Sequence, residues 1–149
     1  DKFKRVYGQL AARPTEQITL VVGADHAGYG DEREAGTRVS AFGGYATDRF
    51  RVGVEGFWYR VAMRRADART DVGGTLFGAV RVAPQWEAVV RLDRSAEFAG
   101  GGDRFETFFV GGVAYTPHPS VALIPNLRVQ APSDQAVETT ARFTLRVQF

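Results

Sequence analysis

Alternation with a period of two runs from one end of this 149-residue chain to the other. In a strand successive side chains point to opposite faces, so such a pattern separates residues into two surfaces, and helical spacing is hard to find beside it. Nine segments rich in Val, Phe, Tyr, Trp and Thr read as strands: 3–12, 18–27, 37–46, 49–62, 71–82, 86–94, 105–116, 120–130 and 139–149. The last is the clearest. Ala141, Phe143, Leu145, Val147 and Phe149 fall on one face, and Thr140, Arg142, Thr144, Arg146 and Gln148 on the other. The split continues backwards, with Val121, Leu123, Leu127 and Val129 against Asn126, Arg128 and Gln130, and Trp86, Ala88, Val90 and Leu92 against Glu87, Arg91 and Asp93. Phe50, Val52, Val54 and Trp58 oppose Arg51, Glu55 and Tyr59, and Ile18, Leu20 and Val22 oppose Thr19 and Asp25.

Composition narrows the chemistry. The chain has no Cys, which removes disulfide frameworks, thiolate metal sites and cysteine nucleophiles. Two histidines, His26 and His118, are too few for a His-rich metal site, and no metal or other cofactor is expected. Nineteen basic residues interleave with 17 acidic ones, so no basic stripe marks a nucleic-acid partner. With 44% hydrophobic residues an ordered fold is expected, as one domain over residues 1–149 or as the C-terminal portion of a larger barrel. No run of 18 apolar residues exists for a membrane helix, yet most segments approach the 9 to 11 residues with which a tilted strand crosses a bilayer. The chain opens Asp1-Lys2-Phe3-Lys4, so a leader would have been removed or the N-terminus is a cut.

The connections alternate in kind. Those at 13–17, 47–48, 83–85 and 116–119 are short, and three contain Pro; those at 28–36, 63–70, 95–104 and 131–138 are longer and polar. Short turns on one rim and longer loops on the other are the pattern of an antiparallel up-and-down barrel spanning an outer membrane.

The segment Thr140 to Phe149 resembles the terminal strand of bacterial outer-membrane β-barrel proteins, which ends in Phe with apolar residues at every second position before it. The resemblance implies that Phe143, Leu145, Val147 and Phe149 form an insertion signal read by the barrel-assembly machinery. Residues 108–119, followed by Ser120-Val121-Ala122-Leu123, also resemble the strand, periplasmic turn and return strand near the end of porin-like barrels.

Alternation does not say which face is wet. A soluble sandwich or lipocalin-like barrel would bury the apolar face and keep the same period. The terminal Phe, the aromatics near segment ends (Tyr45, Phe50, Trp58, Trp86, Tyr115) and the two signs of charge on the polar face favour lipid outside. Single-chain bacterial barrels have even strand numbers, so nine segments imply either an eight-stranded barrel with 3–12 as a peripheral or misread piece, or part of a larger barrel. Pro125 falls on the apolar face inside a strand, where it removes a ladder hydrogen bond and predicts a bulge or unpaired stretch.

The expected fold is therefore all-β, an antiparallel transmembrane barrel of about eight strands in the outer membrane of a Gram-negative bacterium. Its lumen would carry Arg5, Arg38, Arg51, Glu55, Arg81, Glu87, Arg91, Asp93, Glu106, Arg128, Arg142 and Arg146. In a wide barrel these line a channel with a modest cationic excess; in an eight-stranded one they fill the interior as a salt-bridged plug. The expected function is passive, porin-like diffusion of small hydrophilic solutes, without enzymatic activity. Outer-membrane lipid and lipopolysaccharide are the expected surroundings, and Arg60, Arg64, Arg65 and Arg69 could meet lipopolysaccharide phosphates. A small closed barrel with a structural or loop-mediated binding role is one alternative. A membrane-embedded hydrolase or acyltransferase using His26 is the other, although Asp25 beside it must face the opposite way and a partner would come from Asp31, Glu32, Glu34 or another strand. No serine lies in a Gly-x-Ser-x-Gly elbow, and Gly100-Gly101-Gly102-Asp103 lacks the residues of a phosphate or calcium loop.

Overall fold

The computed structural model of the chain describes residues 3–29, 35–62, 68–100 and 102–147. Nine strands follow in order: β1 (Phe3–Ala12), β2 (Ile18–Tyr29), β3 (Ala35–Ala46), β4 (Phe50–Ala62), β5 (Arg69–Ala83), β6 (Trp86–Phe98), β7 (Arg104–His118), β8 (Val121–Pro132) and β9 (Glu138–Val147). Each pairs antiparallel with its neighbours in sequence, giving one up-and-down sheet in the order β1 to β9. The first segment is not peripheral, for β1 pairs with β2 from Phe3 opposite Tyr29 to Ala12 opposite Leu20. The strand number is accordingly nine rather than eight. Strands touch only their sequence neighbours, and β1 and β9 do not meet among the described residues, so the sheet has two unpaired edges.

Local chemistry explains the tight connections. Thr47 Oγ1 accepts hydrogen bonds from the backbone N–H of Phe50 at 3.1 Å and Arg49 at 3.3 Å, and the Thr47 N–H donates to the Phe50 carbonyl, closing the β3–β4 turn. Pro84 and Pro119 each open a two-residue turn, where a fixed φ removes part of the cost of turning.

Register turns the alternation into two continuous surfaces. One row crosses all nine strands as Ala12, Leu20, Gly43, Val54, Leu76, Leu92, Phe109, Val129 and Thr139. One residue along each strand, on the opposite face, the row reads Ala11, Val21, Phe42, Glu55, Thr75, Asp93, Phe108, Gln130 and Glu138. The apolar face is uncovered: Leu10 is 75% exposed, Val54 57% and Phe143 67%. Only Val61, Ala114 and Ala122 are buried among the described hydrophobic residues. A soluble sandwich needs a second layer over this face, and no strand packs over it among the described residues.

On the polar face, rings lie over glycines. A Cβ on Gly53 would sit 2.4 Å from the Phe77 ring, and one on Gly73 would sit 2.6 Å from the Phe57 ring, so only glycine leaves room for these aromatics to lie flat against the sheet. Phe77 in turn stacks with Phe42 at 6.0 Å between centroids and 2° between planes. Pro125 has the predicted effect on one side: the β7–β8 pairing runs to Gly112 opposite Asn126 and resumes at Tyr115 opposite Leu123, skipping the position of the proline. On the other side Pro125 keeps its place opposite Phe143.

Gly53→Ala is expected to destabilise the fold by about 1–3 kcal/mol through overpacking against Phe77, whereas Gly8→Ala, with nothing within 4 Å, changes it by less than about 0.5 kcal/mol. Denaturant midpoints of the two variants check this. Hydrogen exchange checks the two edges: amides of β5 and β6 should be protected on both sides, and every second amide of β1 and β9 should exchange fast wherever no further strand is paired to that edge.

Candidate functional site

All twelve residues expected to share a lumen face fall on the polar face of the sheet. Register puts Arg5 on β1, Arg38 on β3, Arg51 and Glu55 on β4, Arg81 on β5, Glu87, Arg91 and Asp93 on β6, Glu106 on β7, Arg128 on β8, and Arg142 and Arg146 on β9. The same face carries residues that belong with them but were assigned to loops by sequence: Arg69, Glu97 and Arg104. Continuing the alternation Asp93, Ser95, Glu97 past the polar run would have found the second of these.

The charges on this face are arranged in pairs. Arg51 reaches from β4 over β5 to Glu87 on β6, donating to both carboxylate oxygens at 2.8 and 2.7 Å, and the β5 residue opposite Arg51 is the small Ala79. Arg91 pairs with Asp93 two residues on at 2.9 Å, Arg5 with Asp25 across β1 and β2 at 3.1 Å, and Arg69 with Asp71 at 3.0 Å and Glu97 at 3.5 Å. Gln130 donates to Glu106 at 2.6 Å. Five other cations on the face, Arg38, Arg81, Arg128, Arg142 and Arg146, have no carboxylate partner among the described residues. Arg38 and Arg128 rest instead on the rings of Phe57 at 5.0 Å and Phe108 at 4.7 Å. The surplus gathers on β8 and β9, where Arg128, Arg142 and Arg146 share neighbouring strands with the carboxylate Glu138 at the far end. A cleft of about 600 Å³ opens on β1 to β4 between Arg5, Tyr7, Asp25, Arg38, Ser40 and Glu55.

The other candidates lie elsewhere. His26 is on the apolar face opposite Thr37, and its Nδ1 shares a 2.8 Å hydrogen bond with Thr37 Oγ1. Asp25 faces the other way and belongs to Arg5. Asp31, Glu32 and Glu34 lie outside the described residues. His118 Nδ1 accepts from the Ser120 N–H at 3.2 Å within the β7–β8 turn. In the loop 99–103, Gly102 has φ of 118°, a left-handed backbone that glycine adopts freely, and its N–H donates to the Ala99 carbonyl at 3.1 Å. Arg60 and Arg69 part company, since Arg69 is paired on the polar face while Arg60 lies on the apolar one; Arg64 and Arg65 lie outside the described residues. Phe143, Leu145 and Val147 line the apolar face of β9, and Phe149 lies outside the described residues.

The Arg51 side chain is 56% exposed and that of Glu87 29%. A pair so open to solvent should show a coupling of about 0.2–1 kcal/mol in a double-mutant cycle with Arg51→Gln and Glu87→Gln, falling further in high salt. A loss of about 3 kcal/mol or more for either single variant would mark a sealed, dry interior instead.

No protein family model, curated protein or solved structure matches the chain, so its two faces carry the functional argument.

Proposed function

We propose that this chain forms the wall of a transmembrane β-barrel in a bacterial outer membrane, and that its polar face lines a water-filled channel for passive diffusion of small hydrophilic solutes, with a preference for anions. The observation that carries this is the single-layered sheet itself, apolar over most of one face and ionic over the other. An exposed apolar area on this scale far exceeds the few hundred Å² normal for a soluble monomer, and hydrocarbon is the medium that covers it without a second layer.

Three further features support the assignment. Aromatics sit at both ends of the apolar face: Tyr45 with Phe50 and Trp86 with Tyr115 on the short-turn side, Phe98 with Phe105 and Trp58 on the other. The eight residue steps from Phe50 to Trp58 span roughly 26 Å along the strand, or roughly 20 Å at the usual tilt, close to the apolar band of an outer-membrane barrel. The surplus of unpaired arginines gives the anion preference.

Closure follows from the same premise. In hydrocarbon each unsatisfied backbone group costs several kcal/mol, so the edges of β1 and β9 must be paired. Nine antiparallel strands leave β1 and β9 running the same way, so the chain alone would close on itself through one parallel pair, whereas an all-antiparallel closure takes an odd number of further strands. A wider barrel holds water where an eight-stranded one is filled by side chains. Insertion would use the outward Phe143, Leu145 and Val147 and the barrel-assembly machinery.

The chain refolded into lipid vesicles should give a heat-shifted band on gels and conductance across planar bilayers. Arg128→Glu with Arg142→Glu should move the reversal potential toward cations, and removing the neutral pair with Arg51→Gln and Glu87→Gln should move it little. A heat-shifted band without conductance would overturn the channel, and ready solubility in buffer without insertion would overturn the membrane assignment.

A further inference from the structure

The charged residues of the strands are not divided evenly between the faces. All eight strand carboxylates, Asp25, Glu55, Asp71, Glu87, Asp93, Glu97, Glu106 and Glu138, lie on the polar face. Three cations lie on the apolar one: Lys4 opposite Gly28, Arg60 opposite Thr37 and Thr70, and Arg94 opposite Gly74 and Thr107. All three are exposed, and none has a carboxylate partner among the described residues.

Their height on the sheet is also shared. Arg94 stands eight residues from Trp86 at the short-turn end of β6, as Trp58 stands eight from Phe50 on β4; Lys4 is eight from Ala12, and Arg60 two beyond Trp58. They form a level at the long-connection rim, while the short-turn rim of the same face presents Ala12, Ile18, Tyr45, Phe50, Trp86, Tyr115 and Val147, none of them charged. A cation on a lipid-facing surface is tolerated only near an interface, and is favourable there beside anionic headgroups. Carboxylates would repel such headgroups, and the strands present none on this face among the described residues.

We propose that Lys4, Arg60 and Arg94 form a belt that binds the anionic phosphate headgroups of lipids packed around the long-connection rim, with Arg60 and Arg94 making forked contacts to phosphate oxygens. The belt rests on the membrane assignment above, but is a surface distinct from the channel. Its occupant is bilayer lipid, because the three side chains are spread over β1, β4 and β6 around the outside of the wall rather than gathered in one pocket.

The test is native mass spectrometry of the refolded chain in detergent doped with phosphatidylcholine, phosphatidylglycerol or lipid A, beside heat-shift gels from vesicles. The chain should retain phosphatidylglycerol and lipid A over phosphatidylcholine. Retention should drop about fivefold for each charge removed in Arg60→Gln and Arg94→Gln. It should survive in Arg60→Lys with Arg94→Lys and in Arg104→Gln, a cation of the same rim on the other face. A normal heat shift with no anionic preference, or with equal retention in the Gln variants, overturns the belt alone. Absence of a heat shift in any vesicle overturns the belt and the membrane assignment together.

Discussion

A β-sheet that is apolar on one side and ionic on the other, with nothing packed on either, makes two demands of its surroundings. The apolar side must lie against something as apolar as itself, since leaving Leu10, Val54, Leu76 and Phe143 in water forfeits roughly 25 cal/mol for every Å². The edge strands must also have their hydrogen bonds completed. A bilayer meets the first demand and makes the second obligatory, because hydrocarbon offers nothing to an unpaired N–H. The membrane and barrel aspects of the proposal are thus one argument, resting on a single layer and its alternation.

The ionic face is governed by the opposite economy. Guanidinium and carboxylate groups packed at this density would be severely penalised in a dry interior unless every charge were matched. The matching here is incomplete, with Arg51, Arg91, Arg69 and Arg5 paired and Arg38, Arg128, Arg142 and Arg146 not. Such a balance suits hydrated side chains better than a sealed plug. The flat aromatics make the same point sterically: Phe42, Phe57 and Phe77 lie along the sheet over their glycines and leave the space above them open to the long polar side chains.

Most of the fold was legible because the code of an alternating strand is local. The face of every polar-face residue, from Arg5 to Arg146, could be read two positions at a time, and β1 and β4 begin and end within a residue of where alternation places them. Strand ends at the long connections were less legible. Arg69, Glu97 and Arg104 read as loop because polar residues there occupy both faces, so the contrast that reveals a strand fades before the strand ends. The division between Arg60 and Arg69 follows from the same alternation, since Arg60 stands two residues from Trp58 on the apolar face and Arg69 two from Asp71 on the polar one; only their nearness to the 63–70 connection groups them together. The unpaired edges are farther still from local sequence, since pairing of β1 with anything besides β2 is a property of the whole array.

The segregation of charge also defends the register that creates it. A slip of one residue in a strand exchanges its faces completely. For β6 that would turn Glu87, Asp93 and Glu97 onto the apolar face and bring Trp86, Val90 and Leu92 onto the polar one, breaking the Arg51–Glu87 and Arg69–Glu97 pairs at the same time. The cost falls on every strand that carries a carboxylate, which makes an apolar face free of strand carboxylates a device for specifying alignment. β1, β3 and β8 carry no carboxylate, and of these β8 also has its pairing to β7 interrupted at Pro125. There the register is held sterically instead: a Cβ at Gly112 would meet Asn126 and the Pro125 carbonyl at 2.8 Å, so the close approach of the two strands is available only where glycine faces that pair. Where electrostatics does not fix the alignment of two strands, the absence of a side chain does.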